Sequence, residues 1–205
     1  MKHGGDLTEA IARYGGTHEM WMDLSTGINP NPWPVARDLL TSSLYQLPSR
    51  ADEIALINAA RIAYRAPQGA DLIAASGTQA LIQWLPRLAG PGKVAIVAPT
   101  YSEHARAWSG SGHPVVTCDA LEHLPKDMRH AIVVNPNNPD GRMVTVEAMA
   151  RAAKRLQAQG GWLVIDEAFI DLSPDMTAAV LCADLPVIVL RSFGKFYDLA
   201  GVRLG

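Results

Sequence analysis

The chain has little cysteine. Its two thiols, Cys118 and Cys182, lie far apart and form no C-x-x-C spacing, which excludes a disulfide framework or a paired-thiol redox motif and predicts buried free thiols in a reducing compartment. It also lacks an excess of either charge. Eighteen Lys and Arg against 20 Asp and Glu give a formal net charge of -2 with no basic block or stripe, so no nucleic-acid or anionic-membrane partner is advertised and the expected ligand is a small molecule. No apolar run reaches membrane-spanning length, and the opening MKHGGDLTEAIARYGG carries charges and glycines where a secretory leader needs an apolar stretch; cytoplasm is the expected location. His3, His18, His104, His113, His123 and His130 show no ligand spacing, so no zinc or other metal site is expected. Neither G-x-x-x-x-G-K-[ST] nor G-x-G-x-x-G occurs, which removes the P-loop and the dinucleotide fingerprint. No internal repeat or low-complexity stretch is present.

What is present is an α/β pattern. With 48% hydrophobic and 19% charged residues, 205 residues can bury a sizeable core. Four short apolar runs, VAIVAP from Val94, AIVVNP from Ala131, WLVIDE from Trp162 and VIVLRS from Val187, are rich in valine and isoleucine and lack polar alternation, as strands covered on both faces do. Between the second and third, TVEAMARAAKRLQAQGG puts Val146, Met149, Ala150, Ala153 and Leu156 on one helical face, with Gly160 and Gly161 as the stop. A strand, a helix and a strand of these lengths predict a right-handed parallel crossover. Residues 1–50 are expected to be an N-terminal arm, with Pro30, Pro32 and Pro34 in a loop and a helical pattern around Ala36 to Leu47; a second helical pattern runs from Asp52 to Tyr64, and residues 51–205 form the sheet domain.

Polar residues collect where the strands end: Tyr101 and His104 after the first, Asn138 after the second, Asp166 closing the third, Ser192 and Lys195 after the fourth. In open parallel sheets that edge binds ligands. Ser76, Gly77 and Thr78 stand ahead of an apolar helix, where free amides suit a phosphate, although a plain Ser or Thr helix cap would look the same. A carboxylate at Asp166, buried behind Val, Ile and Leu, needs a cation or donors beside it. A lysine behind VIVL either snorkels to water or is desolvated as an amine nucleophile. Pyridoxal phosphate would employ all of these groups together: an amine for its aldehyde, a carboxylate for its ring nitrogen, hydroxyls, amides and an arginine for its phosphate. A Ser-Lys acyl enzyme, with Lys195 activating Ser192 in S-F-G-K, is the rival from another class, but it leaves Asp166, Asn138 and the S-G-T segment without a role. A non-catalytic remnant that binds nothing is the other.

SGT, N-P-x-G with Asp140 at the variable position, D-E-A-F, and S-x-x-K followed eight residues later by Arg203, in that order, resemble fold-type I pyridoxal-phosphate enzymes of the class I/II aminotransferase superfamily. The resemblance implies a three-layer large domain with a mostly parallel sheet. It implies that Lys195 carries the cofactor, Asp166 pairs with the pyridinium nitrogen and Asn138 donates to the ring oxygen. Ser76, Gly77, Thr78, Ser192 and Arg203 would hold the phosphate, Tyr101 would stack on the ring, and His104 would support Asp166. Tyr45 resembles the tyrosine that reaches a neighbouring subunit's cofactor phosphate, which implies a homodimer with shared sites. DLSTGINPNPWP, LPSRADE, SGTQALIQWLPRL, APTYSEHARAW and LRSFGKFY are most similar to the threonine-phosphate decarboxylases of cobalamin biosynthesis, with the histidinol-phosphate aminotransferases as close relatives. That subfamily removes carbon dioxide from threonine O-3-phosphate to give aminopropanol phosphate, and Gly27 and Asn29 would line its substrate side.

Three departures from the family pattern carry expectations. Phe169 stands where many relatives have tyrosine, so Asn138 would act without one partner, a change on the order of one hydrogen bond. Asp198 stands where glycine is usual, at a position that would strain it if φ is positive. Family members continue past R-x-G into a small C-terminal domain whose arginine grips the substrate carboxylate. These 205 residues are therefore expected to be a fragment of a longer enzyme, inactive or poorly folded alone.

Overall fold

The computed structural model describes residues 4–36 and 45–205. Most of the helical pattern expected at Ala36 to Leu47, and His3, lie outside the described residues. Five strands, β1 (Val94–Val97), β2 (Val115–Cys118), β3 (His130–Val134), β4 (Leu163–Asp166) and β5 (Val187–Leu190), form one sheet in the order β2-β1-β3-β4-β5. Every neighbouring pair is parallel. The four apolar runs are strands as expected. β2 is a correction: VVTC is an edge strand, only partly buried, and too short and mixed to stand out as an apolar run.

Helices cover both faces, which explains why the strands carry no polar alternation. On one face Val94, Ile96, Ile132, Val164 and Leu190 pack with Ile82 of α3 (Thr78–Leu88) and with Ala107 and Trp108 of α4 (Glu103–Gly110). On the other, Ala95, Val97, Ala131, Val133, Leu163, Ile165 and Val187 meet Met149, Ala153 and Leu156 of α5 (Val146–Gln157). Adjacent strand residues thus enter different cores, as the two-residue period requires, and the result is three layers.

In α5 the buried residues are Ala148, Met149, Ala152, Ala153 and Leu156. Ala148 and Ala152 therefore replace the expected Val146 and Ala150. Alanines at the contact let the helix lie close to the sheet, and Val146, in the first turn, is only partly covered. Thr145 caps the start by accepting from the Ala148 N–H at 3.3 Å. The predicted stop forms as well: Gly160, at φ 63°, donates to Gln157 and Gly161 to Leu156.

Ahead of the sheet are α1 (Thr8–Tyr14) and α2 (Arg50–Ala63). A reciprocal capping box at Ser49 and Asp52 starts α2. The N-terminal segment does more than lead into the sheet domain. Residues 29–33 lie along the loop after β5, where the Asn29 N–H donates to the Lys195 carbonyl at 3.0 Å and the Trp33 N–H to that of Tyr197 at 2.9 Å. Both thiols are free and partly, not fully, buried; burial pushes Cys182 up to about 11. Among the described residues no helix is long and apolar enough to cross a membrane.

Candidate active site

Strand order reverses between β1 and β3, since β2 lies to one side and β4 and β5 to the other. A crevice opens there beyond the carboxyl ends of the strands. A cavity of about 350 Å³ occupies this edge, and Tyr101, Asn138, Asp166, Ser192, Lys195 and Arg203 all line it, with Gly77 and Thr78 at one end. Strand ends separated widely in sequence are brought together only because β1, β3, β4 and β5 are parallel neighbours.

Asp166 is 4% exposed and holds the two donors its burial demands. His104 Nε2 lies 2.8 Å from its Oδ2, and the Ala168 N–H donates to Oδ1 at 3.1 Å. His104 is fully buried beneath the carboxylate and outside the cavity lining, so it supports Asp166 from behind. Opposite, Lys195 is half-buried. Its Nζ lies 5.9 Å from the Phe169 ring centroid, and its ammonium makes no hydrogen bond or ion pair among the described residues. Tyr101 packs edge-on to His104, with centroids 6.2 Å apart, and burial raises its phenol, which keeps it neutral.

At the other end, Gly77 caps α3 at φ 80° with no side-chain cap, so the simple Ser or Thr cap is not what is built. Thr78 Oγ1 donates instead to the Arg191 carbonyl at 2.9 Å. Ala75 and Gly205 exchange backbone hydrogen bonds at 2.9 and 3.1 Å, which brings Arg203 beside the helix start. A Cβ at Gly77 would stand 3.0 Å from Arg203 Nη2; glycine keeps that cradle open. Ser76 is exposed and does not line the cavity. Ser192 Oγ accepts from the Gly194 N–H at 3.2 Å and makes no hydrogen bond to Lys195 among the described residues, so the pair an acyl enzyme needs is not formed.

Phe169 is a cavity wall, and a Cβ on Gly27 would come within 3.0 Å of its ring. Between Gly27 and Asn29, Ile28 is the residue that reaches the cavity. The Asn29 amide is engaged elsewhere, donating to the Phe196 carbonyl at 2.8 Å. Tyr45 is 83% exposed and lies away from the cavity. Asp198 adopts φ 51°, so the position does require the left-handed region, and Arg203 follows at φ 54°.

Two supporting groups escaped the sequence reading. Asn137 is buried beside the exposed Asn138. It donates to the Pro99 carbonyl at 2.9 Å and to Asp140 at 2.7 Å, and accepts from Thr100 at 2.6 Å. It thereby ties the loop of Tyr101 to that of Asn138. The other is a buried cluster of Glu167, Asp171 and Arg191. Adjacent asparagines look alike in sequence, and no local signal says which one faces inward.

The arrangement suits a small molecule with an anionic group at the Gly77 and Arg203 end, a basic ring nitrogen at Asp166 and an electrophilic carbon at Lys195. The model of the family "Aminotransferase class I and II" matches residues 53–205. Threonine-phosphate decarboxylases from Pseudomonas aeruginosa and from a Sinorhizobium species are 41% and 45% identical over 100% and 99% of the chain. The chain spans 61% of the length of each. Among solved structures, the histidinol-phosphate aminotransferase of Clostridium acetobutylicum superposes with a TM-score of 0.75 over 88% of this chain and 58% of its own, at 22% identity, a likeness of fold.

Proposed function

The chain belongs to the aminotransferase class I and II family, and from that premise we propose that it binds pyridoxal 5'-phosphate and serves the decarboxylation of L-threonine O-3-phosphate to aminopropanol phosphate, a cobalamin-biosynthesis step, in the cytoplasm. One observation carries the reading: Lys195 and Asp166 face a single cavity whose far end is the Gly77 and Arg203 cradle. These residues fit the cofactor chemically. A lysine amine with no hydrogen bond or ion pair among the described residues, a doubly held carboxylate, an asparagine amide on the cavity wall and a glycine kept small against an arginine are what an aldehyde, a pyridine nitrogen, a ring oxygen and a phosphate each call for.

When bound, the cofactor supplies an electron sink that stabilises negative charge at the substrate's α-carbon. The protein's own part is positional. Asp166, oriented by His104 and the Ala168 N–H, would accept a hydrogen bond from the ring nitrogen. Asn138 would donate to the ring oxygen, without help from a hydroxyl at Phe169. Gly77, Thr78, Ser192 and Arg203 would hold the phosphate, and Tyr101 would pack on the ring. Lys195 Nζ is the amine that would hold the cofactor's aldehyde carbon, and the same nitrogen would move a proton at the substrate's α-carbon. Ile28, Phe169 and Leu199 contribute apolar walls.

Which bond at the α-carbon breaks depends on where the substrate carboxylate is held. Among the described lining residues the cations are Lys195 and Arg203, so the choice of decarboxylation over amino transfer rests on the two decarboxylase relatives. Tyr45 and Leu47, both more than four-fifths exposed, suit a homodimer in which Tyr45 reaches the partner's site. The test is reduction with borohydride after addition of pyridoxal phosphate. Wild-type protein should carry the reduced adduct on Lys195, and Lys195→Ala should carry none; an unlabelled Lys195 in folded wild-type protein overturns the reading. Release of carbon dioxide from L-threonine O-3-phosphate then supports the lyase, whereas amino transfer from histidinol phosphate to 2-oxoglutarate without gas would replace it by an aminotransferase.

A further inference from the structure

Outside the cavity lining, on residues that neighbour Asp166 and Lys195 along the chain, lies a buried charge cluster the reaction does not use. Glu167 directly follows Asp166, is fully buried, and accepts from Thr177 Oγ1 at 2.7 Å, the Ala178 N–H at 2.6 Å and Arg191 Nη1 at 3.2 Å. Arg191, four residues before Lys195, is 9% exposed and donates through Nη2 to Asp171 Oδ1 at 2.5 Å. Its guanidinium lies over the Tyr64 ring, 4.2 Å from the centroid. Tyr197, two residues after Lys195, donates to the same Asp171 oxygen at 3.3 Å. The cluster thus touches the chain immediately after the carboxylate and on both sides of the amine.

Its composition is poorly suited to stability alone. One guanidinium faces two carboxylates, and Asp171 Oδ2 and Arg191 Nε are buried without a hydrogen-bond partner among the described residues. Apolar residues of the same volume would avoid that desolvation. What the cluster does supply is geometry. Parallel pairing fixes β4 against β5 only as far as Asp166 opposite Leu190. Beyond Leu190 the chain leaves the sheet, and Lys195 stands in a loop. Tyr197 links that loop to Asp171, and Arg191 links Asp171 to Glu167.

We propose that Arg191, Asp171 and Tyr197 are positioning residues that clamp the Lys195 loop and set where its amine stands relative to Asp166. The proposal rests on the cofactor reading only for its purpose; the clamp itself can be read without cofactor. Lys195 reactivity is the direct measure, obtained by reductive methylation with formaldehyde and borohydride and mass spectrometry of the Lys195 peptide, with exposed Lys126 as internal reference. Tyr197→Phe, which deletes one oxygen, and Asp171→Ala should raise the Lys195 to Lys126 labelling ratio about fivefold, the equilibrium weight of one hydrogen bond. Asp171→Asn keeps an oxygen for both donors and should return the ratio close to wild type. In protein treated with pyridoxal phosphate, the pH midpoint of the visible band should shift in the first two variants and not in the third. A purely structural cluster would lower the melting temperature and leave the labelling ratio where it was; that result overturns the proposal. The two readings fail separately. No adduct on wild-type Lys195 with a responsive ratio sinks the cofactor and keeps the clamp, whereas an adduct with an unresponsive ratio does the reverse.

Discussion

Asp198 shows how one residue's backbone can be in tension with its side chain. At φ 51° it occupies the left-handed region, which costs most L-residues about 1–2 kcal/mol and aspartate somewhat less. Asp198→Gly should therefore raise unfolding stability by about 0.5 kcal/mol, after allowance for glycine's more flexible unfolded chain, read as a small upward shift in thermal midpoint. At His104 the expectation is functional. Its Nε2 supplies one of the two hydrogen bonds to the buried Asp166 carboxylate among the described residues. His104→Ala should weaken pyridoxal phosphate binding about tenfold, the weight of one hydrogen bond to a charged group, in an absorbance titration at fixed pH. The residue types at these positions could be read from the chain. That His104 reaches Asp166 across 62 positions could be proposed only by resemblance, because no local pattern encodes it.

At the scale of elements, α5 and β2 mark where pattern reading succeeds and where it gives out. The helix was expected from its 3.6-residue apolar period, and its caps follow from Thr145, Gly160 and Gly161. Its buried edge is rotated by the choice of Ala148 and Ala152 over Val146 and Ala150, since a wide apolar stripe fits several rotations and contact with the sheet selects one. Met149 is fully buried at the centre of that contact. Met149→Ala should cost about 2–5 kcal/mol, measured by denaturant unfolding with an unchanged m-value. β2 carries too weak an apolar signal, because none of the four residues of VVTC is fully covered and Thr117 is exposed.

For the whole molecule, stability should depend on pH through His130, fully buried among Trp108, His113 and Trp162. Its Nε2 meets the Gly90 carbonyl at 2.8 Å, and its Nδ1 accepts from the Trp162 N–H at 3.2 Å, so the neutral ring is satisfied as it stands. Burial lowers its pKa below the usual 6.5. The unfolded chain then binds the proton more readily than the fold does, so the contribution is fully present above pH 6.5 and fades as pH falls toward the folded value. Thermal midpoints should decline below pH 6.5, and His130→Phe should flatten that part of the profile. The sequence by itself determined the α/β class, four of the five strands and which chemical groups stand at their ends, because burial period and strand-end position are local properties of the chain. The tertiary structure alone decided that these ends share one cavity, that Ile28 and not Asn29 reaches it, and that Glu167, Asp171 and Arg191 are joined outside its lining. Those outcomes depend on which strands become neighbours and which side chains meet across separations from 20 to 167 residues, and such meetings are fixed by packing.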